Sequence, residues 1–105
     1  MRKAFVIKAK AGQKEEYIKR HNPIWDELKI ELKNYGITNY SIFCQTDSNL
    51  LFGYFEIENE KLFETIEDSQ ILQNWWKYMK EVLVSEDENS IKAKEIPLIE
   101  IFHLD

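Results

Sequence analysis

The sequence predicts an α+β domain of the order β-α-β-β-α-β, the ferredoxin-like arrangement, with both helices on one face of an antiparallel sheet. Two observations carry that prediction. Segments with helical apolar spacing alternate with short runs rich in β-formers, and two of those runs flank a turn of the hairpin kind. The length of 105 residues suits one domain, 1–105, with one core.

"KAFVIKAK" (3–10) is rich in β-formers and ends near Gly12, which predicts a strand. From Gln13 the pattern turns helical: Ile18, His21, Trp25, Leu28 and Leu32 recur at spacings of three and four and form one apolar stripe. Asn22-Pro23 interrupts it. Proline costs nothing at the first position of a helix and asparagine is a good cap, so the helix is expected to stop at His21 and restart at Pro23. "YGITNYSIFCQT" reads as a strand entered through Gly36, "DSN" as a turn and "LLFGYFEIE" as the returning strand. Residues 60–66 form a short helix. Asp68 or Ser69 caps a longer one, expected to run to about Val84 with Leu72, Trp76, Met79 and Leu83 on one side. "SEDENS" is a solvated loop, and "PLIEIFHLD" is expected to be the closing strand.

The strand "NLLFGYFEI" has two apolar faces: Leu50, Phe52 and Tyr54 on one, Leu51, Phe55 and Ile57 on the other. A sheet covered on one side only should show a polar second face. A chain this short has no further layer to offer, so a homodimer with its sheets face to face is expected.

Composition narrows the classes of function. A hydrophobic fraction of 44% and an aromatic fraction of 13% suit a globular protein. The net charge of −5 argues against a nucleic-acid surface. No apolar run is long enough to span a bilayer, and "MRKAFVIKAK" turns charged too soon for a signal peptide, so a cytoplasmic protein is expected. One cysteine, Cys44, allows neither an internal disulfide nor a cysteine-based zinc site, and its place in a strand predicts an inert buried thiol. No phosphate loop or dinucleotide fingerprint is present, and no metal or cofactor is expected.

Tyr17 and His21 lie four residues apart and are neighbours on one helix. His21 would sit at the negative end of the first helical segment, which favours its protonated form. An imidazole there suits proton transfer at neutral pH; the alternative is a core histidine with a satisfied hydrogen bond. Trp75 and Trp76 are about 100° apart around a helix, so one packs while the other lines an edge or cavity. An exposed indole suits the apolar C–H face of a sugar, and packing alone is the other reading. Tyr40 shares a face with Ile42 and places a phenol on an apolar surface, though Tyr35, Tyr54 and Tyr78 qualify equally by composition. His103, near the terminus, reads as a surface residue, and Glu15-Glu16 and Glu67-Asp68 as solvated charge.

Taken together, "RKAFV", "EEYIKRHNPIWDELK", "GITNYSIF", "NLLFGYFEIE", "WWKYM" and "EIFHLD" resemble the L-rhamnose mutarotase family over nearly the whole chain. The specific motifs are "RHNPIW" and "WWKYM". Departures are Asp26, where the family often has a second proline, Cys44 in place of an aliphatic, and the loosely matching "SEDENSIKAKEI". The resemblance implies a ferredoxin-like barrel that dimerises through its sheets and interconverts the α and β anomers of L-rhamnose. It also implies that His21 is the proton donor and that Tyr17, Tyr40, Trp75 and Trp76 contact the sugar. Such chemistry requires positioned acids and bases and no cofactor; whether Tyr17, Tyr40 or a water relays the second proton stays open. Two other readings use the same fold. One is a cofactor-independent or haem-degrading monooxygenase; the other is a non-enzymatic dimeric barrel whose aromatics only pack.

Overall fold

A computed structural model describes residues 1–105. Four antiparallel strands, β1 (Arg2–Lys8), β2 (Ile37–Cys44), β3 (Leu50–Ile57) and β4 (Ile96–Leu98), lie in the order β2-β3-β1-β4. The first connection carries α1 (Lys14–Arg20) and α2 (Asp26–Asn34); the second carries α3 (Glu60–Glu64), a 3₁₀ turn and α4 (Gln70–Met79). This is the ferredoxin-like order expected from the element sequence.

The sheet buries one face. Phe5 and Ile7 of β1, Ile37 of β2, and Leu51, Phe55 and Ile57 of β3 join Tyr17, Leu28, Leu72, Trp75 and Met79 from the helices in one core. Gly53 belongs to the same face for a steric reason. The Phe5 ring lies over it, and a Cβ built there would come within 2.1 Å of the ring tip. The opposite face is also apolar but open. Phe43, Phe52, Val6 and Ile96 stand in register across all four strands, and Phe43 remains 66% exposed.

Several expectations need correction. The second helix does not restart at Pro23. Asn22-Pro23 is a cis peptide, and α2 begins at Asp26 with Trp25 at its N-cap position. Asn22 caps nothing ahead of it; its side-chain amide donates back to the Ile18 carbonyl at 2.8 Å. A residue before proline is biased away from helical geometry, so the break is wider than a simple cap exchange. Ile18, assigned to the inward stripe, is exposed, and Tyr17 takes its place in the core.

The long helix ends at Met79, not near Val84. Ser69 is its cap, accepting from the Leu72 amide at 3.2 Å. Beyond Lys80 the chain straightens and pairs with the end of β1: the Lys10 amide donates to Val82 and the Val84 amide to Lys8. Those free edge groups of β1 compete successfully with further helical turns. The helix's buried face is therefore Leu72, Trp75 and Met79, with Trp76 half-buried at its edge.

The closing strand is also short, only Ile96–Leu98, and Ile99, Ile101, Phe102 and Leu104 project from the sheet more than three-quarters exposed. Finally, Cys44 is exposed at the end of β2 and is not a buried thiol. No helix is long and apolar enough to cross a membrane.

Candidate functional site

Between the helices and the buried face of the sheet lies a cavity of about 530 Å³. Tyr17, His21, Tyr40, Trp75 and Trp76 all line it, together with Phe5, Ile42 and Phe55 from the sheet. The five residues singled out from the sequence are thus brought together by three elements, α1 with its C-cap, β2 and α4.

α1 contributes Tyr17 and leads into His21. Their ring centroids lie 4.4 Å apart with the planes tilted by 40°, as a four-residue helical spacing allows. His21 is the C-cap of α1, so its main chain can leave the helix while its ring turns back over the last turn. His21 Nδ1 lies 2.9 Å from the Tyr17 carbonyl oxygen. A carbonyl only accepts, so Nδ1 carries the hydrogen and Nε2 is the nitrogen left with a free lone pair. Burial pushes the imidazole below its ordinary value, and the bond to Tyr17 only partly opposes this. Burial thus acts against the protonated form that the end of α1 was expected to favour, and α1 is only seven residues long, so its dipole is weak.

The opposite helix supplies the tryptophans. Trp75 is buried and meets His21 edge-on at 5.3 Å, while Trp76 is half-buried with Lys92 Nζ 4.6 Å over its ring. One indole thus packs as the other takes the cavity edge, as their 100° separation requires. Trp25 braces the arrangement, edge-on to Trp75 at 5.0 Å. A polar clamp sits behind it. Arg20 donates to Glu16 at 2.8 Å and to the Tyr78 carbonyl at 2.6 Å, pairs with Glu81 at 2.9 Å, and lies over the Tyr78 ring. The residue before His21 is therefore tied to the end of α4.

Tyr40 comes from the sheet, through an irregularity. Thr38 pairs with Glu56 and Ser41 with Tyr54, so β2 has one residue too many, and Asn39 adopts φ 49°. Strict alternation would send residues 37 and 40 to opposite faces. The bulge lets Ile37 and Tyr40 share the inner one. The Tyr40 ring then stacks on Phe55 at 5.2 Å and meets Phe5 edge-on at 6.3 Å. Its accessible surface, 40% of the residue, belongs to the cavity wall. Desolvation raises both phenols well above the usual tyrosine range, and for Tyr40 the nearby Tyr17 and Glu95 add to the effect. Both phenols stay protonated and available as donors.

Two charged residues on the cavity, Lys92 and Glu95, had no signal in the sequence, because they belong to an irregular segment before β4. His103 and Tyr54 are elsewhere: His103 is on the exposed tail beside Asp105, and Tyr54 is on the outer sheet face bonded to Glu56. Cys44 reaches the cavity at its far end.

The L-rhamnose mutarotase family profile matches residues 2–104. The chain belongs to the L-rhamnose mutarotase family. A family member from Pectobacterium carotovorum is 44% identical over 105 residues, covering 100% of this chain and 99% of that protein. Another, from Oceanobacillus iheyensis, is 42% identical over 104 residues, covering 99% and 98%. The crystal structure of an L-rhamnose mutarotase from Formosa agariphila superposes with a TM-score of 0.85 at 31% identity, covering 100% of this chain and 99% of that one. The family's activity is an isomerase reaction, the interconversion of L-rhamnose anomers. The monooxygenase alternative is not favoured.

Proposed function

We propose that this chain interconverts the α and β anomers of L-rhamnose inside the cavity described above, with His21 moving the proton. Tyr17 and Tyr40 hydrogen-bond the sugar oxygens, and Trp75 and Trp76 hold its apolar side. The observation that carries this reading is the 2.9 Å bond between His21 Nδ1 and the Tyr17 carbonyl, which leaves Nε2 as the one uncommitted imidazole nitrogen on the cavity wall.

Ring opening moves one proton. Neutral Nε2 takes it from the anomeric hydroxyl, the C1–O bond to the ring oxygen breaks, and the electron pair goes to that oxygen. The imidazolium then donates its proton to the departing oxygen. The free aldehyde rotates about C1–C2, and the reverse steps close the ring on the other face of the carbonyl. Atoms and charge balance with no redox step. The depressed basicity of His21 helps the second half, since a buried imidazolium gives up its proton more readily than a free one. His21 is thus both acceptor and donor within one turnover. The phenols, held neutral, donate hydrogen bonds to whichever sugar oxygen carries negative charge. The indoles suit the C–H face and the methyl group of a 6-deoxyhexose.

The same reading includes a homodimer and a cytoplasmic location. Support for the dimer is the outer sheet face, where Phe43, Phe52, Val6 and Ile96 form one apolar band, continued by the exposed Ile99, Ile101 and Phe102. A second copy placed sheet to sheet would cover it. Sedimentation or light scattering should give twice the monomer mass; a monomer at micromolar concentration would sink the dimer.

The catalytic assignment is tested by NMR saturation transfer between the α and β anomeric protons of L-rhamnose. His21→Asn should abolish the enzymatic exchange while preserving the circular dichroism spectrum. A variant exchanging at the parent rate would remove His21 from the mechanism.

A further inference from the structure

The proton-moving group faces one part of the cavity, yet a hexose has several hydroxyls away from C1 that an enzyme must also meet. Two charged side chains are placed to do this. Lys92 and Glu95 line both the main cavity and a smaller compartment of about 90 Å³ that also includes Tyr17, His21, Tyr40 and Trp76. Glu95 is the only carboxylate on either lining.

Their position is built by main-chain bonds. The chain after α4 is anchored to β1 by the Val84 amide donating to the Lys8 carbonyl at 2.8 Å. The segment carrying Lys92 and Glu95 is paired in turn onto residues 84–85: Ser85 and Ala93 bridge, and the Lys94 amide donates to the Val84 carbonyl at 3.0 Å. Ala93 packs against the core between them. Lys92 is held further by its ammonium lying over Trp76, which fixes a flexible cation beside an indole. Neither Lys92 nor Glu95 takes part in an ion pair or side-chain hydrogen bond within the chain. Both line the cavity, Lys92 half-buried against Trp76 and Glu95 exposed at the rim, and Glu95 has no partner of its own.

From this placement we infer that Lys92 and Glu95 are specificity-determining residues that read the sugar hydroxyls away from the anomeric carbon. An ammonium donates to hydroxyl oxygens and a carboxylate accepts from O–H groups, so the pair distinguishes lone pairs from hydrogens at neighbouring ring positions. The apolar side of the ring goes to the indoles and C1 goes to His21. Inverting one ring hydroxyl would carry it away from the charged pair and toward an apolar wall. This inference rests on the sugar-isomerase reading and adds to it the element that selects among 6-deoxyhexoses.

The test is steady-state anomer exchange by the full-length protein on L-rhamnose and on 6-deoxy-L-galactose, which differs in hydroxyl configuration. Lys92→Met and Glu95→Gln should each raise KM for L-rhamnose roughly tenfold or more, with kcat held within about threefold, the signature of lost uniform binding. Lys92→Arg should retain most of the affinity, which a role confined to packing on Trp76 with no sugar contact would not require. The double variant should lose most of the preference for L-rhamnose over 6-deoxy-L-galactose, whose hydroxyls at C2 and C4 are both inverted. An unchanged KM in both single variants overturns the inference. So does a large fall in kcat at constant KM for Glu95→Gln, which would put that carboxylate at the anomeric centre. Failure of the parent protein to exchange L-rhamnose at all would instead overturn the underlying reading, so the two failures are distinguishable.

Discussion

The two walls of the cavity are built by different means. The helical wall, bearing Tyr17, His21, Trp75 and Trp76, surrounds a break in the chain, so backbone pairing cannot fix its geometry. Side chains do so: the Arg20 clamp joins α1 to the end of α4, and Trp25 braces Trp75. The sheet wall is fixed by the ladder of β1, β2 and β3 and by the Phe5 ring seated on Gly53. The proposed proton carrier stands where side-chain contacts set position, and the groups that define shape stand on rigid backbone. The comparison implies that damage to the first wall lowers rate and damage to the second lowers stability.

The largest effect expected is His21→Asn, which should reduce anomer exchange by about 10²–10⁴-fold, the usual contribution of a positioned acid-base group. Its melting temperature should shift little, because the ring is only half-buried. A large loss of stability without a loss of rate would reverse the proposed division.

Gly53→Ala is the matching change on the sheet wall. The added methyl meets Phe5 at 2.1 Å, and the ring must move within a packed core. Such overpacking costs about 1–3 kcal/mol, and each kcal/mol lowers Tm by roughly 4–8 °C in a domain of this size. Thermal denaturation checks this, and an unchanged Tm would mean the ring moves freely.

Arg20→Met should fall between the walls. Its guanidinium has little exposed surface, but its carboxylate partners are well solvated, so the loss is about 1–2 kcal/mol. Because the clamp is next to His21, kcat should fall several-fold as well. A variant that loses stability but keeps its full rate would show that the clamp does not position the imidazole.

The smallest effect is in pH. With His21 depressed and its neutral form required, kcat/KM should be level near neutrality. It should decline on the acid side with an apparent pKa below the ordinary histidine value of about 6.5. The same shift bears on stability. Above the unfolded pKa both states hold a neutral ring; as pH falls below it, the unfolded chain binds the proton first and stability is lost. A rate that rises as pH falls from 7 toward 6 would restore the protonated resting state that the sequence suggested.

Much of the site was legible because local rules governed it. A separation of four residues put Tyr17 and His21 together, and adjacency forced Trp75 and Trp76 to divide packing from cavity lining. The assignment of Trp76 to the buried helix face failed because the inward stripe runs through Leu72, Trp75 and Met79, spaced three and four apart, and this leaves Trp76 about 100° away at its edge. Lys92 and Glu95 were invisible because no period governs an irregular segment, and only its pairing with residues 84–85 brings it to the cavity.

The sequence alone determined the element order, the sorting of β3 into two sets, and the apolarity of both sheet faces, because these follow from side-chain period and near-neighbour sterics. Only the tertiary structure decided the burial that lowers the basicity of His21, the bulge at Asn39 that turns Tyr40 inward, and the charged pair at the cavity. Each of these depends on desolvation or on pairing between distant segments, and neither quantity exists until the chain has closed on itself.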